Sequence, residues 1–176
     1  VARLQVLAQP GPVGKAVGQG NGAHAQTQAC THHARSHPDI HRAFGDGVTF
    51  ERGADDPNSV YRKVHEYLRS KIKEANLLMN QFDQSKLVIV AGSLGVHILS
   101  TYIWDADNNK GIFEKNPASQ DEKLNNLNYL ATIGCNIPLF VSGYREDQII
   151  AFEKRNDNFI WDNYYDRDDV LGWPLK

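Results

Sequence analysis

The sequence predicts an α/β fold in which a parallel sheet is flanked by helices. Three observations predict it. Apolar residues recur at three- and four-residue steps from Tyr61 to Met79, as on one face of a helix. The β-branched run Lys86-Leu87-Val88-Ile89-Val90-Ala91 follows, bounded by polar residues, and reads as a strand buried on both faces. Further helix and strand patterns then alternate, which favours a sheet with crossover connections.

Taken in order, Leu4 to Ala8 alternates weakly before Gln9-Pro10-Gly11-Pro12 and predicts a short strand ahead of a turn. Residues 1–58 hold eight of the fourteen Gly, four of the seven Pro and five of the seven His, with almost no apolar periodicity. The first 40 residues therefore read as a disordered or extraneous segment, and residues 41–176 as the domain. Asp55-Asp56-Pro57-Asn58-Ser59 supplies capping residues for a helix running to about Phe82. A second helix is predicted from Leu94 to the Asp105-Ala106-Asp107-Asn108-Asn109 turn. Strands are predicted at Tyr129 to Ile133, ending at Gly134, and at Phe159 to Tyr165, ending at an acidic turn.

Composition narrows the function classes. The chain of 176 residues carries 19 Lys+Arg against 21 Asp+Glu, a formal charge of -2, and has no long basic run to neutralise phosphates. Nucleic acid is a poor partner for such a surface. The longest apolar run, Leu87 to Ala91, falls far short of the roughly 20 residues that span a bilayer, so the chain is not expected to be membrane-spanning. No stretch reads as a secretory signal, and Cys30 and Cys135 lie far apart; a reducing, cytoplasmic setting is the expectation. No cofactor is called for, and neither is a metal. His24, His32, His33, His37 and His41, with Cys30 nearby, match no ligand spacing, and Pro38 breaks a helical arrangement.

The chemistry concentrates at Val90-Ala91-Gly92-Ser93-Leu94-Gly95-Val96, a small-x-Ser-x-Gly pattern between a buried strand and a helix. A nucleophile elbow needs small residues two before and two after the serine, because the turn is strained and its neighbours pass close together. Such a turn lifts the Ser93 hydroxyl above the sheet edge and aims the Leu94 amide at a developing oxyanion near the helix N-terminus. Ser93 is thus the candidate nucleophile. Two other readings stay open: a turn that merely packs, and a phosphate cradle, although neither G-x-G-x-x-G nor G-x-x-x-x-G-K-[ST] is present.

The acid candidate is Asp169, with Asp166 and Asp168 as alternates, in a turn after the last strand, where a carboxylate would orient an imidazole. A solvated turn, capped by Asp166, is the competing reading. The base is the difficulty, because no histidine follows residue 97. His97 lies one helical turn beyond Ser93 and reads as a packing residue; His65, among Lys and Arg, reads as a surface residue.

From about His41 onward the chain resembles bacterial lipase- and esterase-like members of the α/β-hydrolase superfamily. The segments that carry the resemblance are Phe44-Gly45-Asp46 with Val60 to His65, Ala91 to His97, Tyr102 to Asp105, Thr132 to Phe140 and Trp161 to Leu175. The resemblance implies a partial α/β-hydrolase-type parallel sheet, Ser93 as nucleophile and a carboxylate from Asp166 to Asp169. Departures accompany it. Such proteins open with a strand ending in His-Gly, where this chain offers only Gln9-Pro10-Gly11, and they commonly carry His-Ser where this chain has Gly92-Ser93. They also continue to a catalytic histidine after the acid. The resemblance therefore implies an incomplete copy, matching the middle of a larger hydrolase.

The expected function is a serine hydrolase fragment acting on a small-molecule ester or a lipid, with little or no turnover by this chain alone. The alternative is a non-catalytic remnant or interaction module that retains the fold.

Overall fold

The structure is a computed structural model that describes residues 3–9, 50, 56–83 and 85–175. The elements are β1 (Arg3–Gln9), α1 (Val60–Met79), β2 (Lys86–Gly92), α2 (Leu94–Asn108), β3 (Leu127–Ile133), α3 (Ile137–Val141) and β4 (Ile160–Tyr164). They build one sheet in the order β1-β2-β3-β4. The pairs β2–β3 and β3–β4 are parallel, and β1 runs antiparallel to β2 with Leu4 opposite Ala91. Three parallel strands joined by crossovers and flanked by helices make the α/β class. The short strand predicted near the start of the chain is the antiparallel edge, while the histidine group from His24 to His41 lies outside the described residues.

Each helix starts and stops for a local reason. Ser59 caps α1 by accepting the Arg62 N–H (3.2 Å) on its Oγ. Asn80 closes that helix three residues before the predicted end. At the far end of α2, Asn109 takes a left-handed conformation (φ 54°, ψ 49°) and donates its N–H to Asp105 O. Left-handed backbone is costly for most residues and tolerated by Asn, which explains the stop.

The predicted burial of β2 on both faces is not what forms. Leu87, Ile89 and Ala91 are fully buried against Leu68 and Ile72 of α1 and Leu99, Tyr102 and Ile103 of α2. Val88 and Val90, on the other face, are only half-buried. Farther along the paired strands Ile133, Ile160 and Tyr164 are each more than half exposed. Both long helices pack their core residues on the Leu87 side, so β2 alternates although its sequence does not.

His65 also departs from expectation. It is wholly buried rather than at the surface, with Nε2 3.2 Å from Thr101 Oγ1 and Nδ1 3.5 Å from Asp105 Oδ2. Tyr61 donates to the same Asp105 oxygen (2.7 Å). The neighbouring basic residues mislead because Lys63 turns to water, whereas Arg62 and Arg69 are half-buried on the same side of α1 as His65 and donate to Gly111 O and Glu122. The Tyr61–His65–Asp105 cluster ties α1 to α2 by polar contacts, and a buried polar network must be satisfied as a unit.

Three further ion pairs hold the connections. Arg155 donates to Asp107 (2.8 Å) and to Lys123 O (3.1 Å), fixing the β3–β4 connection against the end of α2. Glu122 is buried and receives Arg69 Nε (2.6 Å), Lys73 Nζ (3.0 Å) and the Ser119 N–H (2.8 Å). Burial alone would raise its pKa, but the bonds from Arg69, Ser119 and Lys73 outweigh that and hold it down at about 2, against an ordinary 4.5. A depressed carboxylate contributes stability above its unfolded pKa and loses it as pH falls toward the folded value. The fold is therefore expected to lose stability between pH 4.5 and 2, and Glu122→Gln to be less stable at pH 7 with a flatter fall in that window. Urea unfolding at a series of pH values checks this.

Candidate active site

Ser93 is the single residue between β2 and α2, and its backbone stands at φ 51°, ψ -127°. This region is sparsely populated by L-residues, and occupying it costs about 1–3 kcal/mol unless the surroundings hold it. They do hold it. Ser93 N donates to Ile133 O (2.9 Å) at the end of β3, and Ser93 O accepts from Val96 N (2.9 Å) in the first turn of α2. The small residues expected on either side, Ala91 and Gly95, are both buried.

Comparison with Ser59 shows what this geometry does to the hydroxyl. Both serines precede a helix, but Ser59 is in extended backbone (φ -63°, ψ 156°) and turns its Oγ onto its own helix. Ser93 makes no side-chain capping bond to α2. A residue just before a helix normally spends its hydroxyl on the first free amides; the elbow geometry withholds it. Leu94 N begins a helix of 15 residues, whose N-terminus carries partial positive charge.

The acid candidates occupy the turn after β4. Asp166 Oδ1 accepts from Asp168 N (3.0 Å), and Asp169 N donates to Asp166 O (3.2 Å), so Asp166 shapes the turn. Asp168 is exposed. Asp169 is set apart by where its carboxylate lies. Oδ1 accepts from Leu171 N (3.0 Å), while Oδ2 lies over two glycines. A Cβ on Gly134 would come within 3.1 Å of Oδ2, and one on Gly172 within 2.6 Å. Gly134 also has φ +59°, so this residue is required for its backbone as well as its size.

The topology brings the two candidates to one end of the sheet. Ser93 is bonded to Ile133, and Asp169 rests against the next residue, Gly134, whose N–H donates to Tyr164 O at the end of β4 (3.0 Å). Beside Asp169 lies an open cavity of about 520 Å³, lined by Ile133, Gly134, Tyr164, Tyr165, Asp166, Arg167 and Asp169; Ser93 does not line it and is linked to it through Ile133. The carboxyl ends of parallel strands are where open α/β sheets bind ligands.

Both described histidines have partners other than Ser93. His65 is buried between α1 and α2, and His97 is buried with its ring stacked on Phe140 (4.1 Å between centroids, 11° between planes). Among the described residues no group of three or more His, Cys, Asp or Glu could hold a metal ion. No helix among them is long and apolar enough to cross a membrane.

Sequence reasoning passed over one residue of the elbow. Asn136, in the loop after β3, is buried at 6% exposure, and its carboxamide lies against the Ser93–Leu94 peptide. The only sequence signal for it was its position between Gly134 and Pro138, just past a strand end. Compared with protein-family models, curated proteins and solved structures, the chain shows no significant match.

If the Ser93 backbone is strained, glycine should relieve it. Ser93→Gly is expected to stabilise the fold by about 1 kcal/mol in urea unfolding, whereas Ser93→Ala, which keeps the Cβ, gives no such gain.

Proposed function

We propose that this chain carries the nucleophile, the first oxyanion donor and the orienting acid of a serine hydrolase of the α/β-hydrolase, esterase- or lipase-like type. The observation that carries the reading is the backbone of Ser93, whose φ of 51° and ψ of -127° leave the hydroxyl uncommitted at the junction of a parallel strand and a helix. In the proposed reaction, Ser93 Oγ attacks the acyl carbonyl of an ester and the Leu94 N–H stabilises the oxyanion. The alcohol leaves, and water then releases the acid. Asp169 would orient an imidazole from outside the described residues, which would take the Ser93 proton and return it to the leaving alcohol. The apolar lining of the cavity, Ile133, Tyr164 and Tyr165, suits the acyl or alkyl part of a small ester or a lipid.

The base is the group that His65 and His97 do not supply. Loss of the base in such a triad costs on the order of 10⁴ to 10⁶ in rate, the remainder coming from oxyanion stabilisation and binding. The described residues by themselves therefore make a poor catalyst in this reading. A second reading, a non-catalytic module that keeps the fold, draws on the same placement of the two histidines.

A fluorophosphonate in large excess separates them, with the modified residue mapped by mass spectrometry. The hydrolase reading expects slow modification confined to Ser93, abolished in Ser93→Ala, with p-nitrophenyl ester turnover near background. No preference for Ser93 over other serines would support the non-catalytic module. Rapid stoichiometric labelling with full turnover would mean that the chain already contains its base.

A further inference from the structure

The geometry points to Asn136 as the positioning residue of the elbow: its side-chain N–H holds the Ser93 carbonyl and so fixes the plane of the peptide that presents the Leu94 N–H. The inference rests on the proposed function for its catalytic consequence but not for its structural part.

Asn136 immediately precedes α3, a position at which an Asn side chain ordinarily accepts from the amides of its own helix. It makes no such bond. The carboxamide instead reaches across to the elbow; oriented by the donors and acceptors around it, it places Nδ2 3.0 Å from Ser93 O, as a donor, and Oδ1 3.2 Å from Leu94 N. Carbonyl and N–H of a trans peptide point in opposite directions, so one carboxamide cannot align with both. The shorter contact, from Nδ2 to the carbonyl, is the one that orients the plane.

The loop itself is anchored. Cys135 is fully buried and its carbonyl accepts from Trp173 N (2.9 Å), while Leu139 N donates to Asn136 O (3.0 Å). Asn136 therefore stands on a fixed backbone. Ser93 O already accepts from Val96 N, and the second donor holds the carbonyl from the β3 side. With both in place the peptide cannot rotate, and Leu94 N–H keeps one direction. Preorganised donors are what make an oxyanion site effective, since misaimed donors must reorganise as charge develops.

The test compares Asn136→Ala and Asn136→Asp with the unaltered chain. Asparagine and ionised aspartate have nearly the same shape, but only the former donates. Amide hydrogen exchange is read at Ser93 and Val96, alongside the rate of fluorophosphonate modification of Ser93. At pH 7 both variants are expected to exchange at least tenfold faster at these two amides, with α1 unchanged, and to label at least tenfold more slowly. As pH falls from 7 to 4 the introduced carboxyl gains a proton and becomes a donor. The Asn136→Asp values, each divided by that of the unaltered chain at the same pH, should then recover, while Asn136→Ala should not. Unaltered exchange and labelling in Asn136→Asp at pH 7 would overturn the assignment, because shape without a donor would then suffice. If Ser93 of the unaltered chain is not modified at all, the hydrolase reading fails and the exchange measurement alone decides the role of Asn136.

Discussion

One residue, Ser93, is held in a backbone conformation that its side chain disfavours, and the local structure is arranged around keeping it there. Ser93 N is tied to the end of β3, its carbonyl to the first turn of α2 with the Asn136 carboxamide beside it, and its neighbours Ala91 and Gly95 are small and buried. None of these contacts is unusual alone. Together they overdetermine a turn that would otherwise relax toward an ordinary helix cap like that of Ser59. Strain of this kind persists where something other than stability selects it.

The rest of the sheet supports that turn. β2 delivers Ser93 because Leu87, Ile89 and Ala91 lock its register against α1 and α2, and a slip by one residue would turn Ser93 to the wrong face. β3 supplies both anchors, Ile133 O and the loop bearing Asn136, and β4 ends in the turn that carries Asp169. Gly172 leaves room for that carboxylate where a Cβ would come within 2.6 Å of it, and Gly134 is tight there at 3.1 Å. Arg155 and Glu122 fix the long connections on either side of β3, so the strand that anchors the elbow is itself anchored.

Much of this was legible in the residues. The two long helices, the three parallel strands and the serine at the strand–helix junction follow from periodicity, β-branching and the small-x-Ser-x-Gly pattern, because those signals are local. What sequence could not supply was the pairing of distant surfaces. His65 looks exposed beside its charged neighbours, yet helical geometry turns it inward to Asp105, 40 residues away in sequence. The apolar run of β2 looks buried on both sides, yet both helices pack on one. Asn136 reads as an ordinary residue after a strand; its contact with Ser93 depends on two strand ends lying side by side in register.

The central claim is that the Ser93 backbone exists to present a nucleophile beside an oxyanion donor. Its most direct test is a crystal structure of the chain after reaction with an alkyl phosphonate ester. The account predicts phosphorus bonded to Ser93 Oγ, Ser93 still at positive φ, and the phosphoryl oxygen about 2.7–3.1 Å from Leu94 N. An unmodified Ser93 in a relaxed helical or extended conformation, or an adduct whose oxygen points away from that amide, would contradict it.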